Sequence, residues 1–265
     1  MKKLIPLFAF ALLLAACSTS STSNNDPWGA IDPSKAAGQS KLVELTINST
    51  AMRQTMTYSV WLPQDYDPEK TYPFLYLLHG YETGDQSHLD RCWPKKGNME
   101  YIASDYVKRG GTPMVIVMPN GLSSFYMGDY EPYFEEELMP TVEADYHCNG
   151  RRAIAGLSMG GYGTIYHALK YPEKFTYAYA MSPAADASMS MYVDMKEDKS
   201  VFPAFTFEVG TQDFTVDNSK TKSLYNKLIQ KGLTCEWEER DGTHDWPFWQ
   251  ACLPKALNKA GESFK

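Results

Sequence analysis

RRAIAGLSMGGYGTIYHALKYP, residues 151–172, sets a G-x-S-x-G pentapeptide between a strand pattern and a helix pattern. Ala153, Ile154 and Ala155 read as a short buried strand. From Met159 onward, Tyr162, Ile165, Tyr166 and Leu169 recur at helical spacing until Pro172 stops the helix. A chain that leaves a strand and enters a helix at one Ser must turn sharply there. Side chains at Gly156 and Gly160 would strike neighbouring backbone in such a turn, and Gly161 and Gly163 extend the close packing into the first helical turn. The hydroxyl of Ser158 is then exposed at the positive end of a helix, which marks it as a nucleophile.

A Ser hydroxyl needs a base, and in a turn of this kind the base is a His on the loop after the last strand. His79 ends the strand pattern YPFLYLLHG, His88 lies in a polar loop, His147 precedes the Ser158 strand, and His167 sits inside the helix that follows it. His244 remains. It follows a strand-like run from Leu233 to Glu239 and precedes an amphipathic helix bearing Trp249, Leu253 and Leu257. The acid should lie between Ser158 and His244 in the chain, at the end of another strand. Asp213, closing AFTFEVGTQD before a helix over about 219–231, fits best, with Asp217 as the competitor; Asp241 and Asp245 read as loop or capping residues.

Catalysis also requires two donors for a developing oxyanion. The N–H of Met159, directly after the Ser, is one. The N–H of Tyr81, in the His-Gly turn ending YPFLYLLHGYETGD, is the other, with His79 as a structural residue that shapes this turn. Strand and helix patterns alternate along one domain, residues 41–265, without an internal repeat. They predict an α/β fold with a mostly parallel twisted sheet and helices on both faces.

The blocks YPFLYLLHG, VIVMPNG, IAGLSMGGYG, VGTQD and GTHDWPFW, in this order, resemble the esterase D family of α/β-hydrolases. That family includes feruloyl and acetyl xylan esterases, tributyrin-type esterases and S-formylglutathione hydrolases. The resemblance runs from about Lys41 to the end of the chain. It implies Ser158 as nucleophile, Asp213 as acid, His244 as base, and an oxyanion hole near Gly80-Tyr81 and Met159. No metal or organic cofactor is implied.

Substrate class is read from the loops at the carboxyl ends of the strands. SSFYMGDYEPYFEEEL, residues 123–138, concentrates Phe125, Tyr126, Tyr130, Tyr133 and Phe134, and Trp246 follows the base. Tyr126, Tyr130 and Trp246 are candidate substrate contacts, although at least half of these rings are expected to be packing residues. Only about 20 residues, 184–203, are available for a cap, so the site is expected to be open. An open site favours a feruloyl or acetyl ester borne on plant polysaccharide. A general short-chain carboxylesterase, an S-formylglutathione hydrolase-like enzyme, an acyltransferase and a non-catalytic carbohydrate-binding lipoprotein are the other readings.

MKKLIPLFAFALLLAAC carries a Lys pair, an apolar run and a small-residue site, which predicts an exported chain with residues 1–16 as signal peptide. Leu14-Ala15-Ala16-Cys17 resembles a bacterial lipobox, making Cys17 the lipid attachment site and residues 17–40 a flexible tether to the cell envelope. Of the 25 basic residues, Lys2 and Lys3 would go with the signal, leaving 23 against 32 acidic ones, so nucleic acid is an unfavourable partner. Cys92, Cys148, Cys235 and Cys252 do not have zinc spacing. Their pairing stays open, with Cys235 and Cys252 able to approach each other.

Overall fold

The computed structural model describes residues 40–265; the expected signal peptide, Cys17 and nearly all of the tether lie outside the described residues. Among the described residues, eight strands form one sheet in the order β1-β2-β4-β3-β5-β6-β7-β8. They are β1 (Lys41–Ser49), β2 (Gln54–Leu62), β3 (Tyr72–Leu78), β4 (Val115–Pro119), β5 (Cys148–Leu157), β6 (Tyr177–Met181), β7 (Ala204–Gly210) and β8 (Cys235–Arg240). The β1–β2 and β2–β4 pairs are antiparallel and every other pair is parallel.

The strand sequences explain this division. YPFLYLL, VIVMP and YAYAM are buried at every position, as parallel strands covered on both faces must be. Helices α1 (Cys92–Gly97), α2 (Met99–Lys108) and α8 (Trp246–Ser263) cover one face, where Trp93, Met99, Leu253 and Leu257 pack on Leu75, Leu77 and Ile116. The other face carries α3 (Tyr130–Pro132), a π-helical turn (Tyr133–Leu138), α4 (Met139–Asp145), α5 (Met159–Lys170), α6 (Met191–Asp194) and α7 (Asn218–Gln230). Their side chains Leu138, Val142, Ile165 and Leu224 pack on Phe74, Tyr76 and Ile154.

The strand expected at Ala153–Ala155 is ten residues long, because its first half, starting at Cys148, reaches past the buried core and leaves few apolar signals. The helix expected over about 219–231 and the strand-like run from Leu233 to Glu239 differ by one or two residues at their ends from α7 and β8. Asp217 accepts bonds from the N–H groups of Ser219 and Lys220 as the N-cap of α7, and Asp245 caps α8 through Phe248 N–H at 3.0 Å. Cys92, Cys148, Cys235 and Cys252 are free thiols. Residues 184–203 form only the short turns Ala187–Ser190, α6 and Lys199–Val201.

Candidate active site

Strands β3, β4, β5, β7 and β8 all end on one side of the sheet, and the loops leaving them carry His79–Tyr81, Asn120–Gly121, Ser158, Asp213 and His244. At Ser158 the chain passes directly from β5 into α5 with φ 52° and ψ −113°, a strained backbone for a residue with a Cβ. Neighbouring backbone holds it there. Ser158 N–H donates to Met181 O at 2.9 Å, and Ser158 O accepts from Tyr162 N–H at 3.0 Å. A Cβ on Gly156 would lie 2.4 Å from Gly160 O, and one on Gly160 would lie 2.5 Å from both Leu78 O and His79 O. The two glycines are therefore what allow strand, turn and helix to touch.

Asp213 and His244 are brought together by the facing ends of β7 and β8. Gly210 and Gly242 approach so closely that a Cβ on Gly210 would sit 2.3 Å from Gly242 O. Gln212 N–H donates to Gly242 O at 3.0 Å and Thr211 N–H to Arg240 O at 2.9 Å. The buried Asp213 carboxylate accepts from Thr215 N–H at 2.9 Å through Oδ1, and its Oδ2 lies 2.7 Å from His244 Nδ1. A carboxylate oxygen accepts, so Nδ1 carries the ring proton and Nε2 presents its lone pair. Ser158 Oγ is 2.9 Å from that Nε2. The edge of the imidazole is further held by Trp249, with centroids 5.0 Å apart at 87°.

Met159 opens α5, so its N–H has no carbonyl one helical turn back to bond. Gly80 lies against Ser158, since a Cβ there would be 3.4 Å from Ser158 Cβ. Its carbonyl is fixed by His79 Nδ1 at 2.6 Å, while His79 Nε2 accepts from Gly121 N–H at 2.7 Å. One ring nitrogen faces an acceptor and the other a donor, so His79 is the neutral Nδ1–H tautomer. The Tyr81 N–H shares the Gly80 peptide plane and points opposite its carbonyl, away from His79.

Burial pushes the His79 pKa down to about 4 from an ordinary value near 6.5. The unfolded chain takes up that proton as pH falls through about 6.5, whereas the folded protein does not until about 4. Stability from this group is therefore complete above pH 6.5 and is lost between 6.5 and 4, by about 3 kcal/mol. Urea unfolding at pH 7.5 and 4.5 should show this loss in the wild type and a shallower one in His79→Gln. Equal slopes in the two proteins would contradict it.

Two of the expected substrate contacts are corrected by the fold. Tyr126 is 0% exposed and Tyr130 1% exposed; both are core residues, stacked edge to face at 5.1 Å beneath the loop that carries them. Tyr133 and Phe134 are buried with them. Trp246 is partly exposed at the start of α8, edge-on to Trp93 and Trp249 at 5.4 Å each. Tyr81, at 54%, and Phe214, at 92% and directly after Asp213, are more exposed rings on these loops. Phe214 went unread in the sequence, where its position beside Asp213 was the only signal.

A Ser at a strand-to-helix turn, hydrogen-bonded in series to His and Asp on a doubly wound sheet, defines the α/β-hydrolase class. The chain belongs to the Esterase family, whose model, described as "Putative esterase", matches residues 49–204. The endo-1,4-beta-xylanase/feruloyl esterase of Xylanibacter ruminicola is 28% identical over 240 residues, covering 83% of this chain and 31% of that protein. The acetyl esterase of Caldicellulosiruptor saccharolyticus is 26% identical over 270 residues, covering 82% of this chain and 96% of that one. A solved ferulic acid esterase structure superposes with a TM-score of 0.76 at 28% identity, covering 86% of this chain and 99% of its own.

Proposed function

We propose that this protein hydrolyses carboxylic esters through a covalent acyl-enzyme on Ser158, with feruloyl or acetyl esters of plant polysaccharide as substrates. The observation that carries the reading is the position of His244, 2.7 Å from Asp213 on one side and 2.9 Å from Ser158 on the other. In the first half-reaction Nε2 takes the hydroxyl proton as Ser158 Oγ attacks the ester carbonyl. Asp213 holds the tautomer and stabilises the imidazolium that forms. The N–H groups of Met159 and Tyr81 stabilise the oxyanion. The imidazolium then gives its proton to the departing alcohol. In the second half-reaction the same ring deprotonates water, which attacks the acyl carbonyl, and Ser158 regains its proton as the acid leaves.

Three features support the choice of ester. The relatives named above include feruloyl and acetyl esterases. The segment between β6 and β7 is made of short turns without a long covering helix. Tyr81 and Phe214, on the loops that carry Gly80 and Asp213, offer exposed aromatic faces suited to a sugar ring or an aryl acid. A panel of methyl ferulate, acetylated xylan and short-chain nitrophenyl esters tests the assignment. Preference by about tenfold or more in kcat/KM for one of the first two is the expected result, and uniformly low activity would sink it in favour of a general short-chain esterase.

The location we propose is the cell envelope, through lipid on Cys17, a reading that rests on the sequence of residues 1–17. Cys17→Ala should move the protein out of the membrane fraction. Retention there would overturn the anchor.

A further inference from the structure

Behind the turn that carries Gly80 and Tyr81 lies a set of buried groups that the acyl-transfer steps do not use. His167, wholly buried in α5, has Nε2 3.0 Å from Tyr126 O and Nδ1 2.6 Å from Glu135 Oε1. Lys174 Nζ holds the other Glu135 oxygen at 2.6 Å. A carbonyl only accepts, so Nε2 must carry a proton. The Nδ1–Glu135 contact contains a second proton, without which two lone pairs would face each other in a dry core. The His167 ring is thereby locked as a donor toward Tyr126.

Tyr126 needs such a lock. It sits in the loop after β4, where Leu122, Phe125 and Tyr126 have φ of 50°, 52° and 60°. Each of these non-glycine residues costs about 1 kcal/mol or more in that region and persists only when its surroundings over-determine it. The Tyr126 ring fills the space that two glycines leave: a Cβ on Gly121 would be 2.4 Å from it, and one on Gly163 2.6 Å. Its hydroxyl donates to His79 O at 2.9 Å. His79 in turn fixes Gly80 O. The path thus runs from Glu135 to His167, Tyr126, His79 and finally the peptide that presents the Tyr81 N–H. Glu135 itself sits in the π-helical turn, a rare geometry often found at functional sites.

We propose that His167, its ring held by a hydrogen bond to residue 135, is a positioning residue for the oxyanion hole, acting through Tyr126 and His79 on the Gly80–Tyr81 peptide. This rests on the esterase reading above. A misplacement of about 1 Å far from the reacting atoms can cost roughly 10² in rate. The chain of bonds makes a distal defect appear in kcat and leave KM nearly alone, because Tyr81 N–H is engaged most strongly by the transition state.

The test compares His167→Leu, Glu135→Gln and Tyr126→Phe with the wild type on nitrophenyl acetate, alongside hydrogen exchange of the segment 79–84. His167→Leu should lower kcat about ten- to a hundredfold with KM within about threefold. Glu135→Gln should stay within about threefold of the wild type, because an amide N–H can donate to a neutral His167 that still holds Tyr126 O. Tyr126→Phe deletes one oxygen and keeps the ring, so it reports on the path even if His167→Leu fails to fold. Its loss and that of His167→Leu should combine less than additively. Exchange in the segment 79–84 should quicken in His167→Leu and Tyr126→Phe and not in Glu135→Gln. That readout stands whether or not the wild type hydrolyses esters, so an inactive wild type would sink the esterase reading while exchange still judges the path. Unchanged exchange in folded Tyr126→Phe, unchanged kcat in an active background, or equal losses in Glu135→Gln and His167→Leu would overturn the proposal.

Discussion

Ser158→Ala should lose about 10⁴- to 10⁶-fold in nitrophenyl acetate hydrolysis while folding as the wild type does. The change removes one oxygen, whose polar partner is His244 Nε2 at 2.9 Å. Everything that shapes the turn is left in place. Ser158 N–H still donates to Met181 O, Ala184 N–H and Tyr162 N–H still donate to Ser158 O, and Gly156 and Gly160 still make room for the helix. The strained φ of 52° is no worse for Ala, which also has a Cβ. Stability should therefore stay within about 1 kcal/mol, and far-UV circular dichroism with a thermal melt would check it. The remaining rate measures what the oxyanion donors accomplish without a nucleophile. Undiminished hydrolysis in the variant would remove Ser158 from the mechanism.

Gly160→Ala should have the largest effect on the fold. The added Cβ would lie 2.5 Å from Leu78 O and His79 O and 2.7 Å from Leu78 C, all backbone at the end of β3. No side chain can rotate to relieve that contact. Either α5 lifts from the sheet or the β3–β5 ladder gives way at Leu78–Gly156, its last pair. Overpacking against side chains typically costs 1–3 kcal/mol, and backbone should cost about 3 kcal/mol or more here. For a domain of this size that corresponds to a fall in Tm of roughly 10 °C. Gly150→Ala is the control, since its Cβ would meet nothing within 4 Å and only its φ of 86° resists the change. It should cost about 1 kcal/mol. A Gly160→Ala melt within about 2 °C of the wild type would contradict the close-packed turn.

Much of the architecture was legible because buried parallel strands leave unbroken apolar runs. YPFLYLL, VIVMP and YAYAM could hardly be anything else once turns and helices were placed around them. The order of Ser158, Asp213 and His244 was legible because each lies at a strand end announced by its own sequence. The aromatic loop was different. At least half of its rings were expected to pack, and Tyr126, Tyr130, Tyr133 and Phe134 do, but the sequence did not say which; the hydroxyls that made Tyr126 and Tyr130 candidate contacts are buried, and those of Tyr130 and Tyr133 have no hydrogen-bond partner among the described residues. Composition reports what a ring can contact; the backbone's positive φ angles at Phe125 and Tyr126 decide which way the loop turns it. His167 was read only as part of a helix because its partners, Glu135 and Tyr126 O, are 32 and 41 residues away in the chain. Phe214 was missed for the opposite reason, since exposure depends on what fails to cover it.

Fluorophosphonate labelling followed by peptide mapping tests the central claim most directly, because the probe traps a serine activated by a neighbouring base and an oxyanion site. A nucleophilic Ser158 requires one adduct per chain, located on the peptide containing GLSMGG, absent from Ser158→Ala and strongly slowed when His244 is replaced by Ala. An adduct on a different residue, or none at all in a preparation that hydrolyses esters, would contradict it.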